Sequence, residues 1–315
     1  MILVTGANGF LAQNFLLDCC NYCEPKIRIA SSGNFIQPTR SYSTNLVENI
    51  IEGVDYFSSD SLNMLCEEVE TIVHFAGIDS NTNLKLDEFL RVNCLITENL
   101  LNAAISSGVS NFIFLSTSQV YGSPLIGNII ESKLVHPNNY YAISKLCAEQ
   151  LVHSAALKSK LCTVTVRVSN VVGAPLIHAP KKIRPLFEDL VIQGLLNKEI
   201  SIRGPMKFQL NFITMSDFLL NLRKILGGIN SDFPNVVNLG GKTLSLESVS
   251  FMVQEIFENI YGKKPNINFI HQNKNYINEF EYSSILKLKI TNDFNKEISN
   301  ICNFYYTKEI IDEKI

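Results

Sequence analysis

No apolar run in the 315 residues approaches the ~18 needed to cross a bilayer, so no stretch reads as a membrane span. A polybasic run is missing too. The formal net charge is −3, which leaves no positive field for nucleic acid or an anionic membrane surface. The chain opens directly on a strand-like run at Ile2–Val4, so no signal peptide is expected and the cytoplasm is the expected compartment. There is no internal repeat and no low-complexity segment. The eight cysteines lie mostly within apolar stretches, as reduced thiols do in a reducing compartment. Cys20 and Cys23 form a CxxC, but no second pair and no nearby histidine completes a zinc site, so no metal is expected.

What is present is a globular composition, 46% hydrophobic and 18% charged, on a chain long enough for one large domain or two unequal ones. Its first dozen residues organise the rest. Ile2-Leu3-Val4 is β-rich, Thr5-Gly6-Ala7-Asn8-Gly9-Phe10-Leu11-Ala12 follows at once, and Phe15, Leu16 and Leu17 begin a helical apolar stripe. Strand, glycine turn and helix in this order open either a dinucleotide-binding βαβ unit or an ordinary β–turn–α. In the first reading Gly6 permits the tight turn. Gly9 then lets the backbone approach a pyrophosphate on the positive end of the helix, with Asn8, Phe10 and Leu11 around it.

Lys26–Ser31 reads as a second strand, but its end, Ala30-Ser31-Ser32-Gly33-Asn34, lacks the carboxylate that normally accepts from the adenosine ribose. Either Ser31 and Ser32 leave room for a 2′-phosphate, with Arg28 or Arg40 supplying charge, or they are turn residues and backbone groups hold the ribose. The first option favours NADP, with NAD possible. Residues 33–52 read as a loop running into a short helix, Val54–Phe57 as a third strand with Asp55 near the adenine, and Ser61–Val69 as a helix. Thr71–Gly77 reads as a buried strand containing a core histidine, His74. It ends in a small-residue turn, Ala76-Gly77, where backbone would meet the cofactor. Glu88–Ser107 is amphipathic and stops at Gly108, and Asn111–Ser116 is another near-continuous apolar strand. Strands separated by helices predict an α/β fold with a doubly wound parallel sheet.

Two stretches carry reactive groups. Ser116-Thr117-Ser118-Gln119-Val120-Tyr121-Gly122 lies at the carboxyl end of a strand, where open α/β sheets bind ligands. Tyr140-Tyr141-Ala142-Ile143-Ser144-Lys145 opens a helix running to Leu157 and puts Tyr141 and Lys145 on one face. A phenol with a free pKa near 10 is a poor base at neutral pH, whereas an adjacent ammonium and a cationic nicotinamide favour the phenolate. Tyr22 and Lys26 repeat the spacing, but Pro25 breaks any helix there.

TGANGFLA at 5–12, HFAG at 74–77, STSQVYG at 116–122 and YAISK at 141–145 resemble the extended short-chain dehydrogenase/reductases. Within them the chain resembles the NAD-dependent epimerase/dehydratase family acting on nucleotide sugars. Val166–Gly173, Ile202-Arg203-Gly204 and Asn211-Phe212-Ile213 with Asp217 are similar to later segments of that family, while the last 50 residues match poorly. The resemblance implies a Rossmann domain over 1–172 and 211–240, and a smaller, discontinuous C-terminal substrate-binding lobe over 173–210 and 241–315. It implies Tyr141 as acid/base, Lys145 as its partner and a ribose ligand, and Thr117 hydrogen-bonded to the reacting sugar oxygen beside Ser118. Asn93 would join the cofactor-side network, and Asn170 would touch the diphosphate. The helices at 88–107 and 141–157 resemble those that pair in a homodimer.

Two departures shape the expected reaction. The 4,6-dehydratases of the family carry two acids where this chain has Ser118 and Gln119, so dehydration is not expected. Members usually carry an arginine clamping the diphosphate where this chain has Leu210, a loss that Lys181, Lys182 or Arg184 would have to offset. The resulting expectation is an NADPH-dependent nucleotide-sugar 4-ketoreductase in polysaccharide biosynthesis. An NAD-dependent 4-epimerase is the alternative, and a non-catalytic dinucleotide-sensing protein the reading from another class.

Overall fold

The computed structural model describes residues 1–22, 26–38, 46–80, 84–177, 184–197, 199–270 and 277–306. Cys23, Pro25, Arg40, Lys181 and Lys182 lie outside the described residues. The chain begins β1 (Ile2–Thr5), α1 (Phe10–Tyr22), β2 (Ile27–Ala30), β3 (Val47–Ile51), α2 (Ser59–Cys66), β4 (Thr71–His74). A long rod follows: α3 (Leu86–Phe89), a π-helical stretch over Leu90–Leu95, then α4 (Ile96–Ser106). Next come β5 (Asn111–Thr117), a 3₁₀ turn at Ser118–Tyr121, β6 (Gly127–Ile129), α5 (Tyr140–Lys158), β7 (Cys162–Val168), β8 (Asn170–Val172), α6 (Leu186–Asn197) and β9 (Glu199–Arg203). The remainder is β10 (Gln209–Thr214), α7 (Met215–Gly228), β11 (Val236–Leu239), β12 (Lys242–Ser245), α8 (Leu246–Tyr261), β13 (Asn266–Ile270), β14 (Phe280–Tyr282) and α9 (Phe294–Tyr305).

Seven parallel strands form the main sheet in the order β11-β7-β5-β4-β1-β2-β3. Alternation along each strand feeds two cores. Ile113 and Leu115 of β5 join Phe15 and Leu16 of α1 and Phe218 and Leu222 of α7 on one face. Phe112 and Phe114 join Leu62 of α2, Leu100 of α4 and Val152 of α5 on the other. This is the doubly wound α/β arrangement that the pattern predicts. A third core, with Leu190 of α6, Phe212 of β10, Val253 of α8 and Ile298 of α9, lies apart from the main sheet.

Two local expectations fail. The third strand is Val47–Ile51, not Val54–Phe57, and the described residues between β2 and β3 contain no helix. Val54 and Tyr56 are buried, which produces the alternation of a strand, but the segment is a turn in which Asp55 Oδ1 accepts from Phe57 N. Within 211–240, β11 joins the main sheet, whereas β10 pairs with β8 and β12 in a separate three-stranded sheet. α1 ends at Tyr22 and Lys26 directly precedes β2, so the first Tyr/Lys pair shares no helix.

Candidate active site

The glycine turn is held by close backbone packing. Gly6 has φ +68°, and a Cβ there would stand 2.5 Å from Ala76 N, so the loops after β1 and β4 meet without room for a side chain. The Thr5 hydroxyl bonds His74 Nδ1 at 2.7 Å, and His74 Nε2 bonds the Thr97 hydroxyl at 3.1 Å. Thr97 in turn donates to Asn93 O, which fixes His74 as the Nε2–H tautomer. Burial, followed by Lys145, pushes this imidazole down to about 3, so it is a neutral core residue.

Asn93 lies fully buried in the π-helical stretch. Its Oδ1 accepts from Ile78 N at 2.8 Å, and its Nδ2 donates to Ile78 O and to the Ser144 hydroxyl at 2.9 Å. A Cβ on Gly77 would meet Asn93 Oδ1 at 2.8 Å. Asn93 therefore fastens the Ala76-Gly77-Ile78 turn to α5, and its amide is engaged entirely by protein.

Thr117 ends β5 and Ser118 begins the next turn; both are buried and line a cavity of about 510 Å³. Asn139 caps α5 through Ala142 N at 2.8 Å and donates to Gln119 Oε1 at 3.0 Å, tying the helix start to that turn. This joint brings the Tyr141 phenol into hydrogen-bonding reach of Thr117. Burial pushes that phenol up to about 12, with Thr117 opposing and Asp79 adding to the rise. The sequence pattern predicts a phenol acidified by its lysine, and here burial raises it instead. Lys145 lies one turn on, 5% exposed, its Nζ 4.1 Å from the Phe114 ring centre. Burial lowers the ammonium to about 7, while Glu149 pulls the other way. Glu149 is itself buried against Arg167 at 2.7 Å and accepts from the Ser116 hydroxyl. Arg167 also donates to the Tyr121 hydroxyl at 2.8 Å, so a buried polar network backs the reactive turn.

Across the cavity stand Asn170, Arg184, Glu188 and Leu210. Asn170 Nδ2 donates to Asn211 O at 2.9 Å. Arg184 Nε lies 3.8 Å from Glu188 Oε1, which also accepts from the Tyr305 hydroxyl at 2.6 Å. Glu188 and Tyr305 carry no signal in the sequence. Glu188 falls within the stretch 183–197 that reads as a helix, and Tyr305 in the stretch without recognisable motifs.

On the other side, Phe10 and Leu11 line the cavity where α1 starts with no acidic residue in its first turn. No acidic side chain in that turn offsets the positive helix end beside the glycine turn, which fits a dinucleotide pyrophosphate. Asn8 bonds the Ser31 hydroxyl at 3.1 Å, Asn34 O and Ile36 N, and Ser31 is buried while Ser32 is exposed. Arg28 does not serve a 2′-phosphate. It is 7% exposed and donates to Leu65 O at 2.9 Å and Glu67 O at 2.7 Å, where a cation caps the negative end of α2. Of the two cations that the sequence offers for an NADP phosphate, Arg28 is therefore spent elsewhere, and Arg40 lies outside the described residues.

Residues 2–240 match the NAD dependent epimerase/dehydratase family. The chain belongs to that family. It is 32% identical over 237 residues to the dTDP-D-glucose 4,6-dehydratase of Mus musculus, covering 69% of this chain and 61% of the relative. It is 27% identical over 281 residues to an uncharacterized UDP-glucose epimerase of Bacillus subtilis, covering 85% and 84%. Against three mammalian 4,6-dehydratases the match spans 61%, 65% and 64% of their length. The fold is shared with the Bacillus cereus UDP-glucuronic acid 4-epimerase in complex with NAD, at TM-score 0.77 and 24% identity over 96% of this chain and 97% of that one. An NAD-dependent NDP-hexosamine 5,6-dehydratase of tunicamycin biosynthesis shares it at TM-score 0.78 and 20% identity over 99% of both chains.

The two positions where the sequence departs from the expected pattern both line the cavity. Ser118 and Gln119 are there without a carboxylate, and the Gln119 amide oxygen accepts from Asn139. At 210 the wall is leucine, and Arg184 is the guanidinium that lines the same cavity. Among the described residues no His, Cys, Asp and Glu cluster could hold a metal, and no helix is long and apolar enough to cross a membrane.

Proposed function

We propose that this chain is an NAD-dependent nucleotide-sugar oxidoreductase that removes hydride from a ring carbon and returns it to the opposite face, a 4-epimerase. The observation that carries this reading is the convergence of Thr117 and Tyr141 on one cavity at the carboxyl edge of the sheet, with Lys145 one helical turn behind. A bound nicotinamide would accept and return the hydride. Tyr141 takes the proton from the sugar hydroxyl and gives it back, and Thr117 holds the same oxygen by a hydrogen bond. Lys145, together with a cationic ring nearby, opposes the desolvation that keeps the phenol protonated. Asn93 is a positioning residue, holding the cofactor-side turn against α5. Ser118 and Asn170 face the sugar and its diphosphate. Arg184, oriented by Glu188, takes the diphosphate in place of the arginine absent at 210.

A 4-ketoreductase using NADPH would employ the same three residues, and the loss of Arg28 as a phosphate partner is what turns the reading towards NAD. A purely sensing role would not need both Tyr141 and Lys145. In this proposal residues 173–210 and 241–315, together with β10, form the substrate lobe around the third core. Two copies pair through the helices at 86–106 and α5, where Leu95 and Leu157 are 43% and 73% exposed. The test incubates the purified protein with a panel of nucleotide sugars and their 4-keto forms, with NAD and with NADPH, followed by nicotinamide absorbance and mass spectrometry. An isomer of unchanged mass with no net cofactor turnover supports the epimerase, and stoichiometric NADPH consumption replaces it with the reductase.

A further inference from the structure

The end of β2 lacks the carboxylate that a dinucleotide fold uses to hold the adenosine ribose, and residues 31–38 contain no charged side chain at all. The neighbouring strand brings one in. β2 and β3 run parallel with Ala30 opposite Ile51, and Ser31 N donates to Ile51 O at 3.0 Å. Val54 N then donates to Ser31 O at 3.0 Å, so the chain after β3 stays zipped to the end of β2. Ser31 and Glu52 are the next residues of the two strands. Glu52 Oε1 accepts from Phe35 N at 2.6 Å, which anchors the carboxylate on the loop that Asn8 ties to the glycine turn through Ser31, Asn34 and Ile36.

We infer that Glu52 does from β3 what an acidic residue at the end of β2 does elsewhere: it accepts from the adenosine ribose hydroxyls and selects NAD over NADP. One backbone N–H occupies a fraction of a carboxylate's acceptor capacity, which leaves lone pairs for a ribose hydroxyl. Its charge repels a 2′-phosphate, and Arg28, among the described residues the guanidinium on β2 itself, is buried against the end of α2. The segment that replaces the usual acid, Ser31-Ser32, carries only small hydroxyl side chains. The inference rests on the dinucleotide reading above and names the residue that sets its cofactor.

The test is calorimetric binding of NAD and NADP to the full chain and to Glu52→Gln, without substrate. The glutamine keeps a carbonyl oxygen for Phe35 N–H and removes the charge, and a thermal midpoint within about 2 °C of wild type certifies the loop. Expected are a wild-type preference for NAD of about 100-fold and a fall of that ratio by about 30-fold in the variant, chiefly through tighter NADP binding. The double variant Ser31→Asp/Glu52→Gln, which moves the carboxylate to β2, is expected to restore the preference. A ratio unchanged within about threefold in Glu52→Gln, with wild type still binding NAD, overturns the role of Glu52 and leaves the dinucleotide reading standing. A wild type that prefers NADP overturns the inference as well. A wild type that binds neither dinucleotide overturns both readings together.

Discussion

The Asn93 side chain donates to the Ser144 hydroxyl at 2.9 Å, joining the π-helical stretch to the helix that carries Tyr141 and Lys145. The Ser144 hydroxyl in turn donates to Tyr141 O at 2.8 Å, so the chain of bonds runs from the turn after β4 into the start of α5. Asn93→Ala strands Ile78 N and Ser144 in a buried place. It is expected to destabilise the fold by about 2 kcal/mol and to weaken dinucleotide binding. Thermal unfolding and cofactor titration check the two effects separately.

Tyr141→Phe keeps the ring that packs 6.5 Å from Phe89 and removes the proton carrier. Turnover is expected to fall by about 10²–10⁴-fold, with substrate and cofactor affinity within about threefold of wild type. Unchanged turnover would exclude the proposed proton route.

Arg184→Ala is expected to raise KM for the nucleotide sugar by about tenfold and leave kcat nearly unchanged, because the diphosphate is held alike in ground and transition states. The free sugar, lacking the diphosphate, should bind Arg184→Ala and wild type equally. Competition by the nucleoside diphosphate measures the same loss.

Glu149 and Arg167 form a buried pair at 2.7 Å behind the reactive turn. Either single change, Glu149→Gln or Arg167→Met, leaves its partner uncompensated and is expected to cost about 3–5 kcal/mol. The double variant should recover part of that cost, and chemical denaturation of all four proteins gives the coupling.

His74 titrates near 6.5 in an unfolded chain and is pushed down to about 3 by burial in the fold. Between those values the unfolded state binds the extra proton, so stability rises with pH across this window and falls on acidification. The full difference is of the order of 4–5 kcal/mol. Lys145, lowered to about 7, adds a second rise in stability between that value and 10.5. Denaturation midpoints from pH 3 to 7 should trace the His74 limb, and His74→Gln should flatten it.

Much of the scaffold is legible in the sequence. Gly6 and Gly9 announced the turn, Phe112 to Leu115 announced a strand buried on both faces, and Tyr141 with Lys145 announced a shared helix face. Each is a relation within a few residues. Val54–Phe57 misled because a turn that buries alternate side chains has the same pattern as a strand. Arg28 misled because nothing near it in sequence shows that the carbonyls ending α2 lie within its reach.

The sequence by itself determined the parallel sheet, the glycine turn and the chemical types of the groups proposed to react. These follow from apolar period, backbone freedom at glycine and helical spacing, all local quantities. The tertiary structure decided partnership: Glu52 beside Phe35, Glu188 beneath Arg184 and Tyr305, Glu149 against Arg167, and burial strong enough to hold the Tyr141 phenol protonated. Partners that meet from distant parts of the chain, and the solvent excluded between them, exist only once the elements have packed, so no spacing in the chain records them.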